Sequence, residues 1–227
     1  MKRLLYIILV ATTTFSAEAQ INELGIYAGG ANYIGDVGPT DYIAPNDLAL
    51  GVIYKWNRSP RHSWRASFTY GKIGSDDADS NVDGRKARGY SFKNSVKELS
   101  LGLEFNFFDF NLHEEHFKWT PYIYTGLSYT WYGELYKDGN EGKEYSNGST
   151  LAIPMVVGVK AHIARDFTLG VETGPRYSFT DNLDGSNPDN SKYPGLRFGN
   201  LNSNDWYVFT GVTLTYTFGE KPCYCAD

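Results

Sequence analysis

From Val96 to Phe110 the chain reads VKELSLGLEFNFFDF. Lys97, Leu99, Leu101, Leu103, Phe105 and Phe107 share one parity; Glu98, Ser100, Gly102, Glu104 and Asn106 share the other. Alternation with a period of two predicts a β-strand with one apolar and one polar face. Seven more segments alternate in the same way: Glu23 to Tyr33, Leu48 to Asn57, Ser63 to Ile73, Pro121 to Tyr132, Leu151 to Ile163, Phe167 to Phe179 and Trp206 to Phe218, with the strand above running from Ser95 to Phe108. Most run ten to thirteen residues, close to the ~9–11 that carry a tilted strand across a bilayer. The joins after the second and sixth segments are tight, RSPRH and ARD, and the join after the fourth, DFNLHEEHFKWT, is longer. The joins after the first, third, fifth and seventh are long and rich in Gly, Asp, Asn and Ser. An even strand number with short turns at one end and long loops at the other predicts an eight-stranded antiparallel transmembrane β-barrel of outer-membrane type.

Which face meets water is decided by height. With the short turns at the bottom, Tyr54, Trp56, Trp64, Phe107, Phe167, Tyr216 and Phe218 fall near the bottom of the apolar faces. Tyr70, Trp131, Tyr177, Phe179 and Trp206 fall near the top, and the middle is mostly Val, Leu, Ile and Ala. Two aromatic girdles around an aliphatic band suit headgroup-level rings facing lipid. A soluble lipocalin-like binder would reverse the faces. Val208 on the last segment is assigned to the lipid side with its neighbours. The opposite faces then carry Glu23, Lys55, Arg65, Glu98, Glu104, Lys160, Glu172 and Arg176, with His162. Eight strands leave an interior that side chains fill, and unpaired charge there is costly. Four bases against four acids predict a lumen closed by salt bridges.

The chain has 227 residues, which suits one domain. Its start, MKRLLYIILVATTTFSAEA, combines a basic beginning, a short apolar run and an Ala-Glu-Ala cleavage shape, so residues 1–19 read as a signal peptide, 20–219 as the barrel and 220–227 as a tail. Without the signal, 19 Lys+Arg face 25 Asp+Glu, a net charge of −6 with no nucleic-acid footprint. Aromatics make up 16% of the chain, with 18 Tyr, an excess that interfacial belts account for.

The chemistry-bearing motifs are weak. HEEH, from His113 to His116, lacks the H-E-x-x-H spacing of a zinc site and falls in a turn. Asp79 to Gly84 fits the first half of a calcium loop, but Tyr90 stands where the bidentate Glu belongs; the Asp- and Asn-rich last loop reads likewise as solvated. No metal or cofactor is expected. No G-x-S-x-G occurs and no Ser–His pair can be brought together by register, so an enzyme is not expected. Cys223 and Cys225 follow the last strand, open to a mutual bridge, free thiols or a bond to a second protein. The turn KWNRSPRHSWR places Arg58, Arg61 and His62 at the bottom, as a solvated basic turn or a docking site.

NYIGDVG (Asn32 to Gly38), YKWNRSPRHSWRAS (Tyr54 to Ser67), GRKARGYSFKNSVKELSLGLEFNFFDF (Gly84 to Phe110), PYIYTGLSY (Pro121 to Tyr129) and the ending YTFGEKPCYC resemble the PorG family over nearly the whole mature chain. Those proteins are small outer-membrane barrels of the Bacteroidota type IX secretion system. The resemblance implies a non-enzymatic part that meets a periplasmic ring of the lipoprotein PorK and its partner PorN, in a machine that in some species also supports gliding motility. Topology then makes Arg58, Arg61, His62, His113, His116, Cys223 and Cys225 candidates for contact with that ring, through a disulfide or close contact in the case of the cysteines, with both termini periplasmic. Outer-membrane lipids are the other expected partner, and a small channel or porin-like barrel is the alternative function.

Overall fold

The computed structural model describes residues 21–112, 116–188, 191–200 and 202–219. The expected signal peptide, His113, Cys223 and Cys225 lie outside them. Eight strands follow one another: β1 (Ile21–Ile34), β2 (Asp47–Asn57), β3 (His62–Asp76), β4 (Ser91–Asn106), β5 (Trp119–Asp138), β6 (Glu141–Ala164), β7 (Phe167–Ser178) and β8 (Trp206–Phe218), with one short helix, α1 (Asp83–Arg88), before β4. Each strand is antiparallel to the next, and β8 closes on β1.

The stagger of the closure is legible from the pairing. A perpendicular walk from Asn106 passes Tyr122, Gly158, Glu172, Gly211, Gly29, Ala49 and Gly71, then meets β4 again at Val96, ten residues from its start. Such a tilted eight-strand cylinder has a bore that side chains occupy. The same circuit shows how it is filled, because glycines and an alanine sit opposite bulky residues. A Cβ on Gly158 would stand 2.6 Å from the Tyr122 ring, and one on Gly71 would stand 2.7 Å from that of Phe209.

The apolar parity faces outward. Leu101 is 60% and Val157 54% exposed, while Glu23 and Glu104 are fully buried. Ile26, Val52, Leu99, Leu127, Val171 and Val212 continue the exposed aliphatic band, interrupted by Phe68. Trp64, Phe107, Phe167, Tyr216 and Phe218 border it on the side of the short turns, and Tyr70, Trp131 and Phe179 on the side of the loops. An unbroken apolar belt around a closed cylinder with charges inside is a transmembrane β-barrel of outer-membrane type.

Three expectations are corrected. The long loop after the fifth segment is instead a protruding hairpin, since β5 and β6 run on to Asp138 and Glu141 around a two-residue turn with Gly139 at φ 64°. Asp-Gly-Asn supplies the positive φ such a turn needs, and the hairpin leans on β4 through Ser91 and Glu141. Val208 does not face lipid: it is 1% exposed, paired to Asn32 of β1. There the β1–β2 loop folds back along the outside of β1. Asn32 donates to the carbonyls of Asp41 and Tyr42 and accepts from the Ala44 N–H, and Pro45 occupies the space a Cβ on Gly30 would need. The tyrosine excess is only partly a belt, because Tyr27, Tyr33, Tyr90, Tyr122, Tyr124, Tyr132 and Tyr207 are buried.

Candidate functional site: a filled lumen and two rims

Alternation along β2, β3, β4, β6 and β7 points every charged residue of the second parity into the bore, where water cannot solvate it and partners must. Glu104 of β4 is the hub. Its Oε1 accepts from Lys55 Nζ of β2 at 2.8 Å and from Lys160 Nζ of β6 at 2.6 Å, and its Oε2 lies 3.4 Å from Arg65 Nη1 of β3. Arg65 then forks onto Glu172 of β7, with Nη1 and Nη2 donating at 2.8 and 2.7 Å, and the Tyr122 hydroxyl donates to the same carboxylate at 2.5 Å. Nearer the loops, Arg176 Nε contacts both oxygens of Glu98 at 3.3–3.4 Å, and Tyr207 donates to Glu98 Oε2 at 2.6 Å.

Glu23 differs from the other seven. It accepts from Asn57 Nδ2 at 3.0 Å and Thr215 Oγ1 at 2.6 Å, so hydrogen bonds hold its carboxylate. Aromatic faces complete the packing: Arg65 lies 4.8 Å from the Tyr124 ring centroid and Arg176 4.5 Å from that of Phe209. Cation–π contact of this kind adds about 0.5–2 kcal/mol where water is excluded. These lumen aromatics were not singled out from the sequence, although Tyr122 and Tyr124 share the lumen parity of β5.

Both mouths are stopped. At the turn end, the β4–β5 join turns inward and buries Phe110 and Leu112 beside Ile21. Phe110 stacks on His162 at 4.2 Å and has Lys160 Nζ 5.1 Å from its ring. At the loop end, Tyr33, Ile73, Tyr90, Phe92, Leu135 and Leu183 pack into one cluster above Tyr207 and Phe209. The β3–β4 loop is pinned there by Arg88, whose Nε and Nη2 donate to Asp77 at 2.6 and 2.7 Å. The stretch weighed as half a calcium loop is divided, with Asp79 ending a 3-10 turn and Asp83 opening α1.

At the turn rim, Arg61 donates to Asp109 at 2.6 Å and to the Phe107 carbonyl, joining the β2–β3 turn to the β4–β5 join. A Ser–His pair does form here, which strand register did not foresee because both residues belong to one turn: His62 Nδ1 lies 2.7 Å from Ser59 Oγ, while Arg58 lies 5.0 Å from the Trp56 ring and His116 is exposed. The structure thus brings Arg58, Arg61 and His62 together on one turn.

The Asp- and Asn-rich last loop, expected to be solvated, instead buries Asp184 and Asp205 at the loop rim, because both carboxyls turn inward onto Tyr33. The Tyr33 hydroxyl lies 2.7 Å from Asp184 Oδ2 and 2.5 Å from Asp205 Oδ1. A phenol carries one proton, so both contacts are hydrogen bonds only when a carboxyl contributes another. Burial raises Asp184 and Asp205 above the usual carboxylate range, and Asp184 pushes Asp205 further. Asp181 is pushed up from 3.8 to about 7, by burial first and then by Asp184 and Asp36. An acid whose folded pKa exceeds its unfolded value binds its proton more tightly when folded, so its contribution holds at low pH and is lost as pH rises, here between 3.8 and about 7. Amide protection factors across 179–188, which correct exchange for its intrinsic rise with pH, are therefore expected to be lower at pH 8 than at pH 5, with the difference reduced in Asp181→Asn. Equal protection factors at the two pH values would contradict this pH dependence.

A family model described as a domain of unknown function (DUF6089) matches residues 2–227. No curated protein matches the chain. Among solved structures, Neisserial surface protein A is 9% identical with a TM-score of 0.46, covering 88% of this chain and 96% of that one. The N-terminal β-barrel domain of Pseudomonas aeruginosa OprF is 10% identical with a TM-score of 0.47, covering 88% and 98%. The attachment invasion locus protein Ail of Yersinia pestis, solved with the heparin analogue sucrose octasulfate, is 10% identical with a TM-score of 0.45, covering 88% and 99%.

Proposed function

The chain belongs to the DUF6089 family, and we propose that it is a non-enzymatic structural component of the outer membrane that anchors the periplasmic PorK/PorN ring of the type IX secretion machinery. One observation carries the non-transport part of this reading: the bore is filled by ion pairs and aromatic rings and stopped at both mouths. A barrel whose bore is filled in this way among the described residues acts through its surfaces. The secretion part is supported by the PorG-like stretches from Asn32 to Gly38, Tyr54 to Ser67 and Gly84 to Phe110. In this reading the short-turn rim and both termini are periplasmic. Arg58, Arg61 and His62 form the docking turn, held against Asp109, with His113, His116, Cys223 and Cys225 as further contacts.

Affinity purification from crosslinked membranes tests the anchoring. PorK and PorN are expected among the products, in reduced yield for Arg58→Glu/Arg61→Glu. Recovery of no ring component ends the secretion reading and leaves the barrel intact. In planar bilayers the purified protein is expected to be electrically silent, and a steady open conductance would favour the channel reading instead.

A further inference from the structure

A cavity of about 390 Å³ opens at the loop rim, between the upper part of β5 and the β7–β8 loop. Its volume falls within the ~300–1,000 Å³ of small-molecule sites. Asn182 lines it at 4% exposure, and among the described residues neither its Oδ1 nor its Nδ2 has a hydrogen-bond partner. Because both ends of the amide are open, this holds whichever way the amide is turned. Among the described residues Asp181 Oδ1 and Asn187 Oδ1, on the same wall, are also without partners, although Asn187 Nδ2 lies 3.4 Å from Asp181 Oδ2. Buried polar atoms are ordinarily paired, and leaving one unpaired is costly.

We propose that this cavity receives a single saccharide unit, held through its hydroxyl groups by Asp181, Asn182 and Asn187. The open atoms are three acceptors and one amino donor. A hydroxyl both donates and accepts, so adjacent sugar hydroxyls satisfy both kinds at once. A ligand with donors only leaves Asn182 Nδ2 unmatched, and an anion, which only accepts, leaves the three open acceptors unmatched. Among the described residues no three His, Cys, Asp or Glu are grouped to hold a metal ion. Tyr132 and Phe179 also line the cavity, whose wall is mainly polar, as suits a ligand rich in hydroxyls. Tyr132 is fixed by its hydroxyl, 2.9 Å from Thr180 Oγ1, and Arg197 is tethered through its Nε and Nη2 to the Pro188 carbonyl, so part of the wall is set before any ligand arrives. The inference does not depend on the secretion reading.

Saturation-transfer NMR on the full chain in phosphocholine micelles, which carry no sugar headgroup, tests it. The probes are methyl glucoside, methyl mannoside, methyl galactoside and N-acetylglucosamine. At least one is expected to saturate with a Kd on the order of a millimolar, as suits so small a ligand. Asn182→Ala is expected to weaken it about tenfold, the loss of one or two hydrogen bonds. That variant breaks no hydrogen bond among the described residues, and its fold is checked by electrophoretic mobility before and after heating. Asp109→Asn at the opposite rim serves as a control and is expected to bind like the parent. Failure of all four sugars to saturate overturns the proposal, as does undiminished binding in folded Asn182→Ala.

Discussion

Glu104→Gln is expected to lower the unfolding free energy by about 3–5 kcal/mol, the usual cost of removing one partner from a buried ion cluster. The substitution keeps the shape and deletes the charge. Lys55 and Lys160, which share Glu104 Oε1, are then left with a neutral amide in a bore that excludes water. Arg65 suffers less, because its fork onto Glu172 is intact. Urea unfolding in phospholipid vesicles measures the loss. Tryptophan fluorescence is a suitable signal, since Trp64, Trp119 and Trp131 are all exposed on the barrel. The double variant Lys160→Met/Glu104→Gln removes one charge of each sign and leaves the lumen balance unchanged. It is expected to regain much of the loss, because well-packed apolar replacements for buried ion pairs cost little. A single variant as stable as the parent would mean that Glu104 does not neutralise the two lysines.

This cluster shows where sequence reading reaches its limit. Parity alone places Glu104, Lys55, Lys160 and Arg65 in the bore, because period-two alternation leaves each side chain only two directions. Parity does not say who meets whom. Arg65 and Glu172 are 107 residues apart and lie on strands that are not neighbours, so their meeting depends on the ten-residue stagger of the closed barrel. The hairpin beyond Tyr132 escaped for a different reason. It projects past the lipid band with polar residues on both faces, so it has no alternation to detect, and only the Asp-Gly-Asn turn marked it. The inward fold of Phe110 and Leu112 left no periodic trace either, because the join makes a single excursion into the mouth. The loop-rim acids come from several segments, Asp36, Asp181, Asp184 and Asp205, and only the folded loops bring them together.

Leu101→Arg should cost about 2–4 kcal/mol in vesicles, the penalty for a cation on the lipid face near the bilayer midplane. Leu101 sits in the ladder Ala66–Leu101–Leu127, midway along the outward face of β4 between Lys97 and Phe105. Lys97 shares that face and is tolerated four residues nearer the loops, where a long side chain can carry its ammonium up to the headgroups. Depth, more than charge, therefore sets the cost. Leu48→Arg provides the comparison: Leu48 is also outward and exposed but lies near the start of β2, at the loop rim, where ~0–1 kcal/mol is expected. The difference between the two variants separates hydrocarbon from water as the solvent of the belt. Arginine on a strand facing water costs little at either height, so equal and small effects at 101 and 48 would mean that the band is not embedded in lipid. A large cost at 101 alone would locate the hydrocarbon core at the level of Leu101, Leu127 and Val52, with ions held inside the bore and at the two rims but not on the belt between them.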